Sequence, residues 1–271
     1  MKKLQIAVGA VLLIAVLAAA AIVGAVFAAD GYTEISTAAE LKKISSTGHY
    51  RLTADIAFTD GTTLPAFSGK LDGGGKKITG LTAPLFEELS GSVSDLTLTG
   101  SITDTTDGAV GVLANTVAGD LSVSNLVCDC PVTAKSATGV GGFIGRIEAE
   151  GAATVRFTGC VNRGDIDGSA NAAGFVGSVK NTASKYTTLI FDDCQNYGNV
   201  HMSSGAANIG VGGLVGFGGR YSDVRVERSA NYGDIASEGG DNGVGGIYGG
   251  GTWSNGDARN SRPAIPSIRA T

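Results

Sequence analysis

Val140-Gly-Gly-Phe-Ile-Gly145 decides the fold, because close copies of it return along the chain: Ala172-Ala-Gly-Phe-Val-Gly177, Val211-Gly-Gly-Leu-Val-Gly216 and Val244-Gly-Gly-Ile-Tyr-Gly249. The four starts lie 32, 39 and 33 residues apart, and a worn copy, Ala109-Val-Gly-Val-Leu-Ala114, stands 31 residues before the first. A period in this range predicts a solenoid, in which each unit buries its apolar face only by stacking on the next. Each copy reads as a short strand bounded by glycines where close packing leaves no room for side chains.

A second pattern fills the intervals. Cys160-Val-Asn162-Arg-Gly164-Asp-Ile166, Cys194-Gln-Asn196-Tyr-Gly198-Asn-Val200 and Ser229-Ala-Asn231-Tyr-Gly233-Asp-Ile235 align without gaps. Phe157, Phe191 and Val226 each precede the Cys or Ser by three residues. Three is odd, so the apolar side changes face there, as it does at a bend between two strands. Asn-x-Gly then predicts a turn, since Asn and Gly tolerate left-handed backbone.

Composition agrees with an all-β chain. Gly supplies 43 of 271 residues, about twice the usual share of roughly 7%; no Gly-X-Y period is present, which excludes collagen. Pro is only 5, too few for a Pro-rich low-complexity chain. Short alternating runs of Val, Ile, Thr, Ser, Asn and Asp suit strands and turns.

Lys2 and Lys3 precede an uncharged run from Leu4 to Ala29 that ends in Val26-Phe27-Ala28. Basic start, apolar stretch and small residues around Phe27 predict an export signal cut after Ala28. The run also reaches the roughly 20 residues that span a bilayer, so an uncleaved N-terminal anchor stands as the alternative. In both readings Asp30 onward lies outside the cell, secreted or at its surface. Loss of the two lysines takes the net charge from −5 to −7. No basic residues cluster on a periodic face, so nucleic acid is not an expected partner, and a membrane is expected only through the N-terminal segment.

Thr37-Ala-Ala-Glu40 is a capping box, which predicts a short helix from about Ala38 to Ser45 that covers the first coil. Tyr50 and Leu52, then Ile56 and Phe58, alternate as strands. Phe67 to Ile78 reads as a strand, a turn at Gly73-Gly-Gly75 and a second strand, and Leu85-Phe86 as an early core pair.

Three of these features together resemble the GLUG-type repeat region of bacterial surface proteins, also found upstream of the catalytic domain in IgA-cleaving metallopeptidases of streptococci. They are Cys-x-Asn-x-Gly-Asp-Ile, Val-Gly-Gly-Phe-Ile-Gly, and the run from Ala39-Glu-Leu through Tyr50-Arg-Leu-Thr-Ala-Asp-Ile56 to Phe67-Ser-Gly-Lys-Leu-Asp-Gly-Gly-Gly-Lys-Lys-Ile-Thr-Gly-Leu81. The resemblance covers about Tyr32 to Gly250 and implies a right-handed parallel β-helix. It implies no activity, because such repeats occur beside many partner domains. His-Glu-x-x-His is absent, and His49 and His201 are the only histidines, so the peptidase half of the resemblance has no counterpart in this sequence. The expected organisation is a signal or anchor at 1–28, a cap and first coils at 30–100, repeats at 101–250 and an irregular tail at 251–271.

The polar candidates are few. Cys128 and Cys160 both lie 14 residues before the second residue of their Gly-Gly or Ala-Gly pair, and Cys194 aligns with Cys160 through Asn-x-Gly, so the three fall in one column, with Leu98 before and Ser229 after, and Cys130 falls in the Asn162 column. Coils about 4.7–4.9 Å apart would make a thiol ladder. A buried small-residue column and a Cys128–Cys160 disulfide are both open. Cys-Asp-Cys lacks the spacing of a zinc site, and no metal or cofactor is expected. Asp165, Asn199 and Asp234 align after a Gly, and their recurrence in coil after coil argues for turn structure over catalysis. The Asp192-Asp193 pair is unrepeated and is read as a solvated turn. Gly73-Gly-Gly75-Lys-Lys lacks the Ser or Thr of a phosphate loop, and no Gly-x-Gly-x-x-Gly falls at the repeats. Tyr197 and Tyr232 share a turn column and, with Trp253, are the candidates to grip a sugar or a partner protein; simple turn packing is the competing account.

The expectation is therefore an exported, non-catalytic surface module for adhesion or scaffolding, with a glycan or a host or surface protein as ligand. The alternative is an enzyme acting on polysaccharide, lyase or hydrolase, which requires two carboxylates from different coils to converge within about 5–9.5 Å. A third reading is an N-terminal piece of a larger surface protein. The array stops after Gly250, and the tail with Arg259, Arg262, Pro263 and Pro266 offers no cap or cell-wall anchor. An open last coil predicts further sequence or end-to-end self-association.

Overall fold

The computed structural model describes residues 31–181, 185–203, 210–219, 221–238 and 243–251. The signal segment and Trp253 lie outside these residues. The chain is an all-β parallel solenoid: one 16-stranded sheet and two five-stranded sheets, with every pairing parallel.

One central coil shows the course. Gly139–Gly141 lies in one small sheet, Ile144–Ile147 and Ala153–Thr158 in the large sheet, then Val161–Asn162, then Ile166–Gly168 in the other small sheet. The Gly-Gly-Phe-Ile-Gly motif is thus a corner between two strands. The expected single strand fails because Gly142 and Phe143 turn the chain from one sheet into the next. Gly142 is required there: a Cβ would stand 2.6 Å from Asn162 Oδ1.

Phe157, Phe191 and Val226 are register partners in adjacent strands. The Phe157 and Phe191 rings stack at 5.3 Å with 7° between planes, and Phe143 stacks on Phe175 at 4.5 Å. The two stacks meet edge to face, Phe157 to Phe175 at 5.7 Å and Phe175 to Phe191 at 5.6 Å. All four rings are fully buried, and truncating one such ring costs about 3–5 kcal/mol.

The bend after each Phe is made by a left-handed residue: Gly159 at φ 62°, Asp193 at 55° and Arg228 at 48°, with Asn125 and Asp95 at the same place in earlier coils. Asn162, Asn196 and Asn231, expected to supply that conformation, do not. Their role is in the side chain. Asn162 Nδ2 donates to Asn196 Oδ1 at 2.8 Å and Asn196 Nδ2 to Asn231 Oδ1 at 2.6 Å. Each Nδ2 also donates within its own turn, to the carbonyls of Gly164, Gly198 and Gly233. The glycine of Asn-x-Gly likewise has ordinary φ; it is needed because a Cβ on Gly198 or Gly233 would run into the carbonyl of the preceding coil's glycine.

Towards the N-terminus the strands lengthen to Lys70–Leu81, Phe86–Gly100 and Ala114–Asp129. The expected turn at Gly73-Gly-Gly75 is a bulge: Asp72 pairs with Ser94 and Lys76 with Leu96, so the strand resumes in the same direction. Leu85 and Phe86 are fully buried. The helix is shorter than expected, Ala38–Leu41, but its capping box is formed, and it buries Leu41. The edge strand of the large sheet is Thr33–Ile35, ahead of the helix.

Gly174→Ala should destabilise the fold by about 1–3 kcal/mol, because its Cβ would collide with Asn196 Oδ1 and the Gly213 carbonyl. Gly151→Ala, with nothing within 4 Å, is the control. Urea unfolding of the two variants measures the difference.

Candidate functional site

The repeated carboxylates serve the turns. Asp165 Oδ1 accepts the Asn199 backbone N–H at 2.8 Å, and Asn199 Oδ1 accepts the Asp234 N–H at 3.0 Å. Each side chain thus fixes the next coil's turn, as the alignment predicts. Asp192 ion-pairs with Arg228 one coil on, and Asp193 makes the left-handed bend.

Tyr197 and Tyr232 lie outside the core, 48% and 63% exposed, with rings stacked at 4.9 Å and 15°. The Tyr197 hydroxyl donates to Gln195 Oε1 at 2.8 Å. Their facing surfaces are spent on each other, so the pair offers ring edges, hydroxyls and the outer face of Tyr232. Arg163 and Asp129 precede them in the same column, because Asn162 pairs with Cys128 and with Asn196. Tyr248 belongs with the core instead: burial raises its phenol pKa.

A second polar set was not foreseen. On the strands Ile166–Gly168 and Val200–Met202, Asp167 and His201 are register partners. His201 Nδ1 lies 2.8 Å from Asp167 Oδ1, and Nε2 lies 3.3 Å from Glu238 Oε1. Lys135 ion-pairs with Asp167 from the other side. Four successive coils are tied together by this line of charges. Burial would push the Asp167 carboxyl up, but hydrogen bonds from Lys135 and His201 hold it below its ordinary value. The two carboxylates address opposite nitrogens of the ring and do not meet at one point. Among the described residues no group of three or more His, Cys, Asp or Glu side chains is placed to hold a metal ion. The available signal was uniqueness: the same column holds Thr133 before Asp167 and Ala236 after His201.

The cysteine alignment needs correction. Cys128 pairs with Asn162 and Leu98, so it is not in the Cys160 column. Val132 pairs with Ile166 and Val140 with Ala172, yet the first interval is eight residues and the second six. Counting back from Gly-Gly across that variable connection slips the register by two. A slip of two keeps the face, so burial was foreseen correctly and the partner was not. All four cysteines are free and buried, and the Cys128–Cys160 bridge is absent. Burial raises the Cys128 thiol pKa and takes that of Cys130 up to about 12.

With this geometry in hand, the comparisons fix the fold alone. No protein-family model matches the chain, and no curated protein matches it. A solved structure does. The crystal structure of a "putative immunoglobulin A1 protease" from Bacteroides ovatus superimposes with a TM-score of 0.51 over 77% of this chain and 85% of that one, at 14% identity. At that identity the likeness is one of architecture, and it is consistent with the β-solenoid described above.

Asp167 gives a pH test. Its folded pKa is depressed, so its contribution is present above the unfolded value, about 3.9, and is lost as pH falls through the folded one. Asp167→Asn should be less stable than the parent at neutral pH, with the gap closing below about pH 4. Thermal midpoints across that range measure it; a gap independent of pH contradicts the assignment.

Proposed function

We propose that this chain is an exported right-handed β-helix of the GLUG-repeat type that acts as a non-catalytic binding and spacing module at the cell surface. The observation that carries this reading is where the repeated polar groups are spent. Asp165, Asn199 and the asparagines of the ladder hydrogen-bond the next coil, while Tyr197 and Tyr232 stay exposed and stacked on each other. A right-handed winding is the sense that parallel crossovers adopt in nearly all sheets. The helix Ala38–Leu41 would lie at the N-terminal end, and end-to-end association of the last coil would cover its less buried residues Val226 and Ile235. Export rests on the apolar run after Lys2-Lys3.

A second reading, an enzyme on polysaccharide, draws on the unrepeated Asp167–His201–Glu238 line. A glycan and protein array probed with the chain from Asp30 onward, run beside a polysaccharide-degradation assay, separates the two. Binding without turnover is expected. Tyr232→Ala should weaken that binding at least tenfold, about 1.4 kcal/mol, at unchanged thermal midpoint. Degradation that His201→Gln abolishes would replace this reading with the enzyme, and an array without a ligand would remove the binding role.

A further inference from the structure

We infer that Cys160 and Cys194 form a disulfide joining two successive coils when the chain folds in the presence of a disulfide oxidant. The register places them side by side: Thr158 pairs with Asp192 just before them and Val161 with Gln195 just after. The Gln195 N–H donates to the Cys160 carbonyl at 2.9 Å. Both follow a left-handed residue, Gly159 and Asp193, so the two backbones approach their cysteines along the same course. Both thiols are fully buried, and they sit alike in their turns, Cys160 Sγ donating to the Thr158 carbonyl at 3.4 Å and Cys194 Sγ to the Asp192 carbonyl at 3.5 Å. In-register parallel neighbours lie about 4.8 Å apart, inside the roughly 4.4–6.8 Å Cα range of bridges. Cys128 has Leu98 and Asn162 as its neighbours, so no thiol stands across the sheet from it.

Before these coils close either cysteine can react first, and the two orders are equivalent; in one of them Cys194 is the first nucleophile. Its thiolate attacks one sulfur of a low-molecular-weight disulfide such as glutathione disulfide and expels one thiolate. The Cys160 thiolate then attacks the Cys194 sulfur of the mixed disulfide and expels the second. Two electrons pass to the oxidant and two protons leave the cysteines. Because the folded pair is buried, exchange belongs to the stage before these coils close.

The test uses the full chain refolded in reduced and oxidised glutathione, then denatured without reductant, alkylated with iodoacetamide and cut with trypsin. Cleavage releases Cys160 in the peptide 157–163 and Cys194 in 186–220, apart from Cys128 and Cys130. The expected product is these two peptides linked, two hydrogens lighter than their sum, with Cys128 and Cys130 alkylated. Four alkylated cysteines, or a link through Cys128 or Cys130, overturns the inference. Cys194→Ser reproduces what the column already holds at Ser229, whose Oγ accepts the Cys194 N–H at 2.9 Å. Reductant should lower the parent's thermal midpoint by about 5–10 °C and leave the variant's unchanged; an equal response in both overturns it as well. Neither outcome bears on whether the flank binds a ligand.

Discussion

The amides of Asn162, Asn196 and Asn231 hold this solenoid in register. Each donates once to the next coil and once to its own turn, except that Asn231 heads the last rung. Asn162 and Asn196 are fully buried, where an unpaired amide costs about 1–3 kcal/mol. A slipped coil would break two bonds at once and leave both partners dry. Apolar stacking alone would tolerate such a slip; the ladder does not. The glycines opposite make room for it: Gly142 and Gly213 would place a Cβ 2.6 and 2.5 Å from the amides of Asn162 and Asn231. Where the column carries Cys128 in place of Asn, the residue in the Gly142 column is Val112, next to the paired Gly111 and Gly141. Asparagine and glycine are therefore exchanged together.

That coupling explains why the two sequence patterns recur as one unit. The Gly-Gly corner and the Asn-x-Gly turn are distant in sequence and touch in space. The turn then places Asp165, Asn199 and Asp234 where each reaches the next backbone, and it turns Tyr197 and Tyr232 outward. What the joints leave over is the exposed pair and the charged line from Lys135 to Glu238.

The period, the parallel coils and the phenylalanine columns were legible because each depends on a residue type repeated at a fixed place. The capping box was legible because its two partners are local. Asn162 was misread as a conformational residue; its type permits a left-handed backbone, and only the neighbouring coil shows that its amide is what matters. Cys128 was misplaced because a connection of variable length lies between it and the marker used for alignment. The meeting of His201 with Asp167 and Glu238 depends on register across coils, which no local pattern encodes. The Bacteroides ovatus structure, at 14% identity, carries the same architecture with little shared sequence.

The most direct measurement is the cost of cutting the ladder at two rungs, read by urea unfolding. Asn196→Ala removes the inner rung and strands Asn162 Nδ2, the Asn231 acceptor and the Gly198 carbonyl; it should cost about 2–4 kcal/mol. Asn231→Ala removes the partly exposed end rung and should cost about 1 kcal/mol or less. Equal, small losses at both positions would contradict the claim that buried amides set the register.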